Sequence, residues 1–338
     1  MTTDKLNNLF DRFQETRIAV VGDFCLDVYW EIDMSASVTS VETGLPTYPV
    51  RKKRYSLGGA GNVVANLAAL GVKEISAFAV LGHDMFASEL LALLNQFGVH
   101  LKGIQFQSTD WDTPVYIKRI LDKKERSRID FSNFNMLQDT VAETIVAALQ
   151  QNLPHFDVVI INQQLVHGLH TAYFRQLLTS LIKENEDTLF LLDSRDFGND
   201  YGGTIRKINE HEALRLCGEQ VTPDTAIARE KAADAARELA KRWQQIVFVT
   251  RGENGLFVVD ENTVTDIPAF AIKGEIDTVG AGDTMLAAIA TTLAAGGSYY
   301  DAGELGTLAT AITIQKLYQC GTASPAEIRA LQEMQAGL

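Results

Sequence analysis

The sequence predicts an α/β protein: a mostly parallel central sheet with helices on both faces, and a small β lid. Short β-branched or apolar runs recur along the chain between stretches of helical period, as when doubly buried strands alternate with amphipathic helices. Gly71 and Gly98 directly follow two of the periodic stretches, where a helix C-terminus favours glycine. Two other stretches, 29–56 and 111–132, are polar, aromatic and alternating, the pattern of strands with one solvated face.

IAVVGDF (18–24) opens the series as a strand. Asn62 to Leu70 follows as a helix, with Val63, Leu67 and Leu70 at i, i+4 and i+7. ISAFAV (75–80) is the next strand, and 85–97 the next helix, carrying Leu90, Leu91, Leu94 and Phe97. VVII (158–161), TLFLLD (188–193), IVFVT (246–250) and LFVVD (256–260) continue the strands. Near the C-terminus Leu286, Ile289, Ala290 and Leu293 give a helix its apolar face, and Gly296 its stop. The alternating stretches are expected to pair as hairpin-like strands into a lid over the main domain. The division is core 1–28, 57–110 and 133–338, lid 29–56 and 111–132.

The 338 residues make about two average domains, or one large domain with an insertion. Acids outnumber bases by 43 to 30, and the net charge of −13 argues against a nucleic-acid partner. It leaves room for a small anion held by local bases. Cys25, Cys217 and Cys320 form no CxxC pair, which fits a reducing compartment. The first residues lack the apolar core of a signal peptide, and no run is long enough to span a bilayer. A cytoplasmic protein with no membrane partner is expected.

Several motifs fail. No GxxxxGK[ST] or GxSxG occurs, GGAGNV lacks the third glycine of a dinucleotide fingerprint, and His211-Glu212 meets Arg215 where HExxH needs histidine. Two glycine clusters survive. Asp277-Thr278-Val279-Gly280-Ala281-Gly282-Asp283-Thr284 immediately precedes an apolar helix, so its backbone N–H groups face an anion-friendly helix N-terminus. Asp283 there is either a base for a hydroxyl attacking phosphorus or a simple helix cap. As a base it is expected to be weak, because the helix dipole lowers its pKa. Leu57-Gly58-Gly59-Ala60-Gly61-Asn62 also precedes a helix, and reads either as a close-approach site for a sugar ring or as a turn needing positive φ.

Together and in this order, the motifs resemble the ribokinase family, or PfkB carbohydrate kinases, from about Ile18 to Pro325. GHDMFASELLALLNQFGV (82–99), the NxxE of Asn209 to Glu212, the loop Thr250 to Gly255 and DTVGAGD (277–283) carry the resemblance. VVGDFCLDVYW (20–30), GGAGNVVANLAALG (58–71), Ser40-Val41-Glu42, Arg128 to Phe131 and CGTAS (320–324) are most similar to the heptose 7-phosphate kinase branch. The resemblance implies a ribokinase-like three-layer αβα sandwich and ATP-dependent phosphorylation of a sugar or sugar-phosphate hydroxyl. Asp283 is then the base, and Gly280, Ala281 and Gly282 the anion hole. Asp27, at the end of strand one, and Asn62 hold sugar hydroxyls, with Gly58 and Gly59 leaving room and Glu42 and Arg128 reaching from the lid. Asn209, Glu212, Thr250, Arg251, Gly252 and Gly255 bind the nucleotide. Glu212 positions Mg²⁺ through water, and Asp277 with the loop around Gly321 resembles a monovalent-cation site that would take K⁺.

The lid is expected to join two chains as a homodimer. Arg51 to Arg54 within it reads first as a charged strand edge. Ile161-Asn162-Gln163-Gln164-Leu165-Val166-His167-Gly168 departs from the Ser-Asp-Tyr-x-Lys-Gly of the heptose branch, leaving no lysine to meet a phosphate. Asp193-Ser194-Arg195 stands where that branch has Asp-Pro-Lys, so Arg195 keeps a cation. A nucleoside or polyol kinase, with Gln163 and His167 contacting the acceptor, and a silent sugar- or nucleotide-binding regulator are the alternatives. Because the sequence ends near the expected kinase C-terminus, the nucleotidyltransferase domain fused to some of these kinases is expected to be absent.

Overall fold

A computed structural model of the chain describes residues 1–272 and 274–336, residues 335–336 by their backbone alone. The chain opens with α1 (Thr3–Phe13), β1 (Arg17–Gly22), β2 (Phe24–Ile32), β3 (Val50–Gly59) and α2 (Ala60–Leu70). β4 (Glu74–Gly82), α3 (Met85–Gln96), β5 (His100–Gln107), β6 (Val115–Leu121) and the short β7 (Lys124–Glu125) and β8 (Ile129–Asp130) follow. Next come α4 (Asp139–Asn152), β9 (Val158–Gln163), α5 (Ala172–Glu184), β10 (Leu189–Ser194), β11 (Ile205–Asn209), α6 (Glu210–Leu216) and α7 (Arg229–Trp243). β12 (Val247–Thr250), β13 (Leu256–Val259), β14 (Val264–Ile267), α8 (Ala281–Ala294), α9 (Tyr299–Thr313) and α10 (Pro325–Ala336) complete it.

Nine strands form the central sheet in the order β14-β13-β12-β11-β10-β9-β1-β4-β5. Pairing is parallel from β12 through β5, and the β12–β13 and β13–β14 pairs are antiparallel, so β13 alone of these nine strands is reversed. Alternate residues of β1 serve opposite cores: Ile18 and Val20 meet α1, α2, α8 and α9, while Ala19 and Val21 meet α4 and α5. A third cluster packs α6 and α7 against β12 and β13. This is the expected three-layer αβα sandwich. Strands β5, β11 and β14 were not foreseen; β11 hides because Arg206 and Lys207, both buried, interrupt its apolar pattern.

The second sheet runs β3-β2-β6-β7, with β8 also on β6. Its pairing is mixed rather than hairpin-like, since β2 and β6 are parallel. Leu26, Val28, Leu57, Val115 and Ile117 turn one face into the main core. Asp27, Ser56 and Tyr116 share a cross-strand row on the other face. The first sheet strand ends at Gly22, not at Asp27. Asp23 breaks the chain there, accepting backbone N–H bonds from Gln164, Leu165 and Leu169, and Asp27 lies on β2. No helix among the described residues is long and apolar enough to cross a membrane.

Candidate active site

Gly280, at φ 81°, is the left-handed cap of α8, and a Cβ there would stand 2.7 Å from Asn62 Nδ2. Position 280 therefore requires glycine. Buried Asn62, in the first turn of α2, donates to Asp283 Oδ2 at 2.7 Å. Asn66, one turn later, donates to the Asn62 carbonyl and accepts from Thr284 Oγ1 at 2.9 Å. The two glycine clusters thus meet, and one hydrogen-bonded chain ties their helices together.

Burial raises the Asp283 pKa from 3.8 to about 6, with Asp193 adding to it and Asn62, Lys207 and Arg195 opposing it. The dipole-based expectation of a weak base is corrected: loss of hydration outweighs the helix dipole. A carboxylate of that pKa is still mostly ionised at neutral pH and accepts protons readily.

The turn differs from expectation in one detail. Ala281 N–H already bonds Thr278 O at 3.1 Å. The N–H groups without an acceptor among the described residues are those of Gly280, Gly282 and Asp283. Behind them stands Lys207, which sequence reasoning missed. A Cβ on Gly282 would lie 3.1 Å from its Nζ. Lys207 pairs with Asp193 at 2.7 Å. Burial alone would lower its pKa, but Asp193, Glu212 and Asp283 together raise it, so the ammonium stays charged. Residues 161–168 carry no lysine, and the ammonium beside this turn comes instead from β11. The signal was a lysine two residues before the NxxE.

Asn209 and Glu212 form a reciprocal capping box at α6, each side chain bonding the other's backbone N–H at 2.8 Å. Burial raises the Glu212 pKa, Lys207 opposing and Asp193 adding. Thr250 ends β12 beside Asn209 in register. The Arg251 side chain turns inward instead, stacked 4.2 Å from the Phe257 centroid and between Glu210 and Asp266. Gly252 begins a short 3-10 turn, and Gly255 at φ 85° passes so close to Ile267 O that a Cβ would clash at 2.2 Å.

On the lid side Asp27, buried, pairs with Lys118 at 3.2 Å. Burial raises its pKa while Lys118 opposes. Gly58 lies against this carboxylate, where a Cβ would sit 3.3 Å from Asp27 Cγ. Gly59 has φ 54°, so the positive-φ explanation accounts for that glycine. Arg128 stacks 4.0 Å from the Tyr116 centroid and bonds Asp130 through two nitrogens. Glu42 is exposed in the loop closed by the Thr39–Pro46 bridge, and its carboxylate has no hydrogen bond or ion pair among the described residues. Asp277 accepts from Val279 N and Tyr318 N at 3.0 Å each. Gln163 is not free to touch an acceptor: its amide bonds Ser194, Leu165 and both the backbone and carboxylate of Asp196. The Asn162 amide is buried with no partner among the described residues.

A glycine-capped helix N-terminus, a buried carboxylate and a lysine at the C-terminal edge of a mostly parallel sheet define the class: an α/β protein with an anion-binding turn. The chain matches the pfkB family carbohydrate kinases over residues 16–326 and belongs to that family. It is 26% identical to the bifunctional protein HldE of Hydrogenovibrio crunogenus over 331 residues, 98% of this chain and 65% of that one. HldE of Nitrosococcus oceani is 31% identical over 317 residues, 92% of this chain and 62% of its own. The chain thus spans less than two thirds of these relatives. Arabidopsis thaliana ribokinase, solved with ribose and ATP, superposes with TM-score 0.71 at 20% identity, covering 94% of this chain and 98% of that one. The fold is ribokinase-like.

Proposed function

We propose that the protein transfers the γ-phosphoryl group of ATP to a hydroxyl of a sugar or sugar phosphate. The acceptor oxygen forms the new O–P bond, the bond to the ADP oxygen breaks, and the hydroxyl proton passes to Asp283. The observation carrying this reading is Asp283 itself: a carboxylate with a pKa of about 6, fixed by Asn62 and set in a turn with unengaged N–H groups. Gly280 and Gly282 N–H, with Lys207 behind, would stabilise the transferring group in place of water. Ala281 would contribute shape rather than a donor.

The acceptor hydroxyls would lie between Asp27 and Asn62. Asn209, Thr250 and the backbone of Gly252 and Gly255 would face the nucleotide. Arg251 would support that loop from beneath. Mg²⁺ fits the residues present: Glu212 and Asp193 each keep one carboxylate oxygen free of recorded hydrogen bonds and ion pairs, and no cluster of three metal-ligating side chains exists among the described residues. One or two carboxylates acting partly through water, with substrate phosphates, suit Mg²⁺. When bound, it would neutralise charge on the transferring phosphates. K⁺ beside Asp277 remains part of the reading.

Exposed Val38, Val41, Leu45 and Tyr48 in the lid loop support pairing with a second copy, which would also give Glu42 a partner. Sedimentation showing only monomers would remove that element. A coupled ADP-release screen over hexoses, heptoses, their phosphates and nucleosides tests the function. Turnover with nucleosides alone favours the polyol alternative; a blank with intact ATP binding favours the regulator.

A further inference from the structure

We propose that a cavity at the N-terminal edge of the central sheet binds a small phosphate ester, at the end of the sheet opposite the catalytic groups. The proposal goes beyond the kinase reading and does not depend on it. β1 and β4 begin at this cavity. From there β1 runs to Gly22, which stands in register with Asn162, and Asn162 in turn with Asp193. The length of β1, roughly 17 Å, therefore separates the cavity from the edge that carries Asp193. None of its lining residues belongs to the candidate active site.

Basic side chains converge there from four places in the chain: Arg17 on β1, Lys73 just before β4, His100 and Lys102 on β5, and His155 in the turn after α4. Arg17 is half-buried, and the others stand exposed at the mouth. None of these side chains has a hydrogen bond or an ion pair among the described residues. The facing acids are Glu74, beside Arg17 in register, and Asp157, whose Oδ2 accepts from the Arg17 backbone N at 2.7 Å. Three permanent cations thus meet one lining carboxylate on a chain whose net charge is −13. Such a chain has acids to spare for pairing, yet these cations are left free to concentrate an anion.

The floor of the cavity is shaped by a break in the sheet. Ser76 pairs with His100 and Phe78 with Gly103, so β5 carries one extra residue there, a bulge that includes Lys102. Gly103 lies under the Phe78 ring, where a Cβ would stand 2.4 Å from Cδ1 and 2.6 Å from Ala77 O. Phe156 meets Phe78 edge-on, with ring centroids 6.0 Å apart. Ser76 is only 8% exposed, and its hydroxyl lines the cavity without a partner among the described residues. The volume, about 420 Å³, falls within the range of about 300 to 1,000 Å³ usual for small-molecule sites. Cations at the mouth suit a phosphate dianion, Ser76 an ester or hydroxyl oxygen, and the Phe156 ring the apolar part of the ligand.

Hydrogen exchange read by mass spectrometry tests this, because it reports where a ligand sits. AMP, ribose 5-phosphate and inorganic phosphate, with adenosine and ribose as neutral controls, are titrated into wild type, Lys73→Glu, Lys102→Glu and Asp283→Asn. The expected result is slowed exchange over 100–103 and 152–156 with a phosphate ester and not with the neutral controls, retained in Asp283→Asn. Each lysine variant should raise the ester concentration needed for half of that protection by about 10- to 100-fold. Both lysines are exposed, so the variants should keep the wild-type fold by circular dichroism. Stronger protection by AMP assigns a nucleotide, and by ribose 5-phosphate a sugar phosphate. No protection of these segments, protection by inorganic phosphate as strong as by either ester, or protection unchanged in both lysine variants overturns the proposal and leaves the kinase reading standing.

Discussion

Replacing Asp283 by Asn removes the proton acceptor while keeping a hydrogen-bonding group of the same shape beside Asn62. General-base catalysis contributes about 10²- to 10⁴-fold, so turnover should fall by about 3 to 5 kcal/mol of barrier. ATP binding should hardly change. The raised pKa adds two further consequences. With the carboxylate titrating at about 6, wild-type kcat/KM should lose about tenfold between pH 7 and pH 5, well above the range of an ordinary aspartate. Because the folded pKa lies above the unfolded one, protonation favours the fold. That stabilisation is complete below about pH 4 and is lost as pH rises through 6. At neutral pH the ionised carboxylate therefore destabilises the protein, by about 2 to 3 kcal/mol. Asp283→Asn should be nearly inactive yet melt higher than wild type at pH 7.5 without ligands, and the gain should vanish by pH 4. Steady-state pH profiles and calorimetric melting measure both. Wild-type turnover in the variant, or an acid limb near pH 4, would refute the reasoning.

Other outcomes follow from the same geometry. Lys207→Met should cost about 3 to 5 kcal/mol of stability by stranding Asp193. Adding Asp193→Asn should recover much of that stability in chemical denaturation without restoring turnover. Asp27→Ala should raise the acceptor KM much more than the ATP KM; equal effects in initial-rate kinetics would move Asp27 out of the acceptor site. Exchanging K⁺ for choline should slow the enzyme, and equal rates in K⁺, Na⁺ and choline would remove the cation from the account.

The sequence displayed the features that depend on backbone. Gly280 needs a positive φ and the first turn of α8 exposes N–H groups, and both are written in the order of small residues before an apolar helix. The strands buried on both faces were equally plain, because Ile18 to Val21 feed two cores at once. What stayed hidden depends on partners distant in sequence. Arg206 and Lys207 look like surface residues until Gly198, Tyr201 and Thr204 carbonyls and Asp193 are seen to receive them. The pKa of Asp283 depends on burial that no local pattern displays. The placements of Arg251 and Arg54 were hidden for the same reason: each guanidinium stacks on a ring of a neighbouring strand, Phe257 and Tyr29.

The central claim is acceptor-directed phosphoryl transfer, and mass balance tests it most directly. With [γ-³²P]ATP and an acceptor identified by the screen, label should appear in the sugar one-for-one with ADP formed, and in neither product when Asp283 is Asn. ADP released with label only in free phosphate, at a rate indifferent to sugar, would contradict the account.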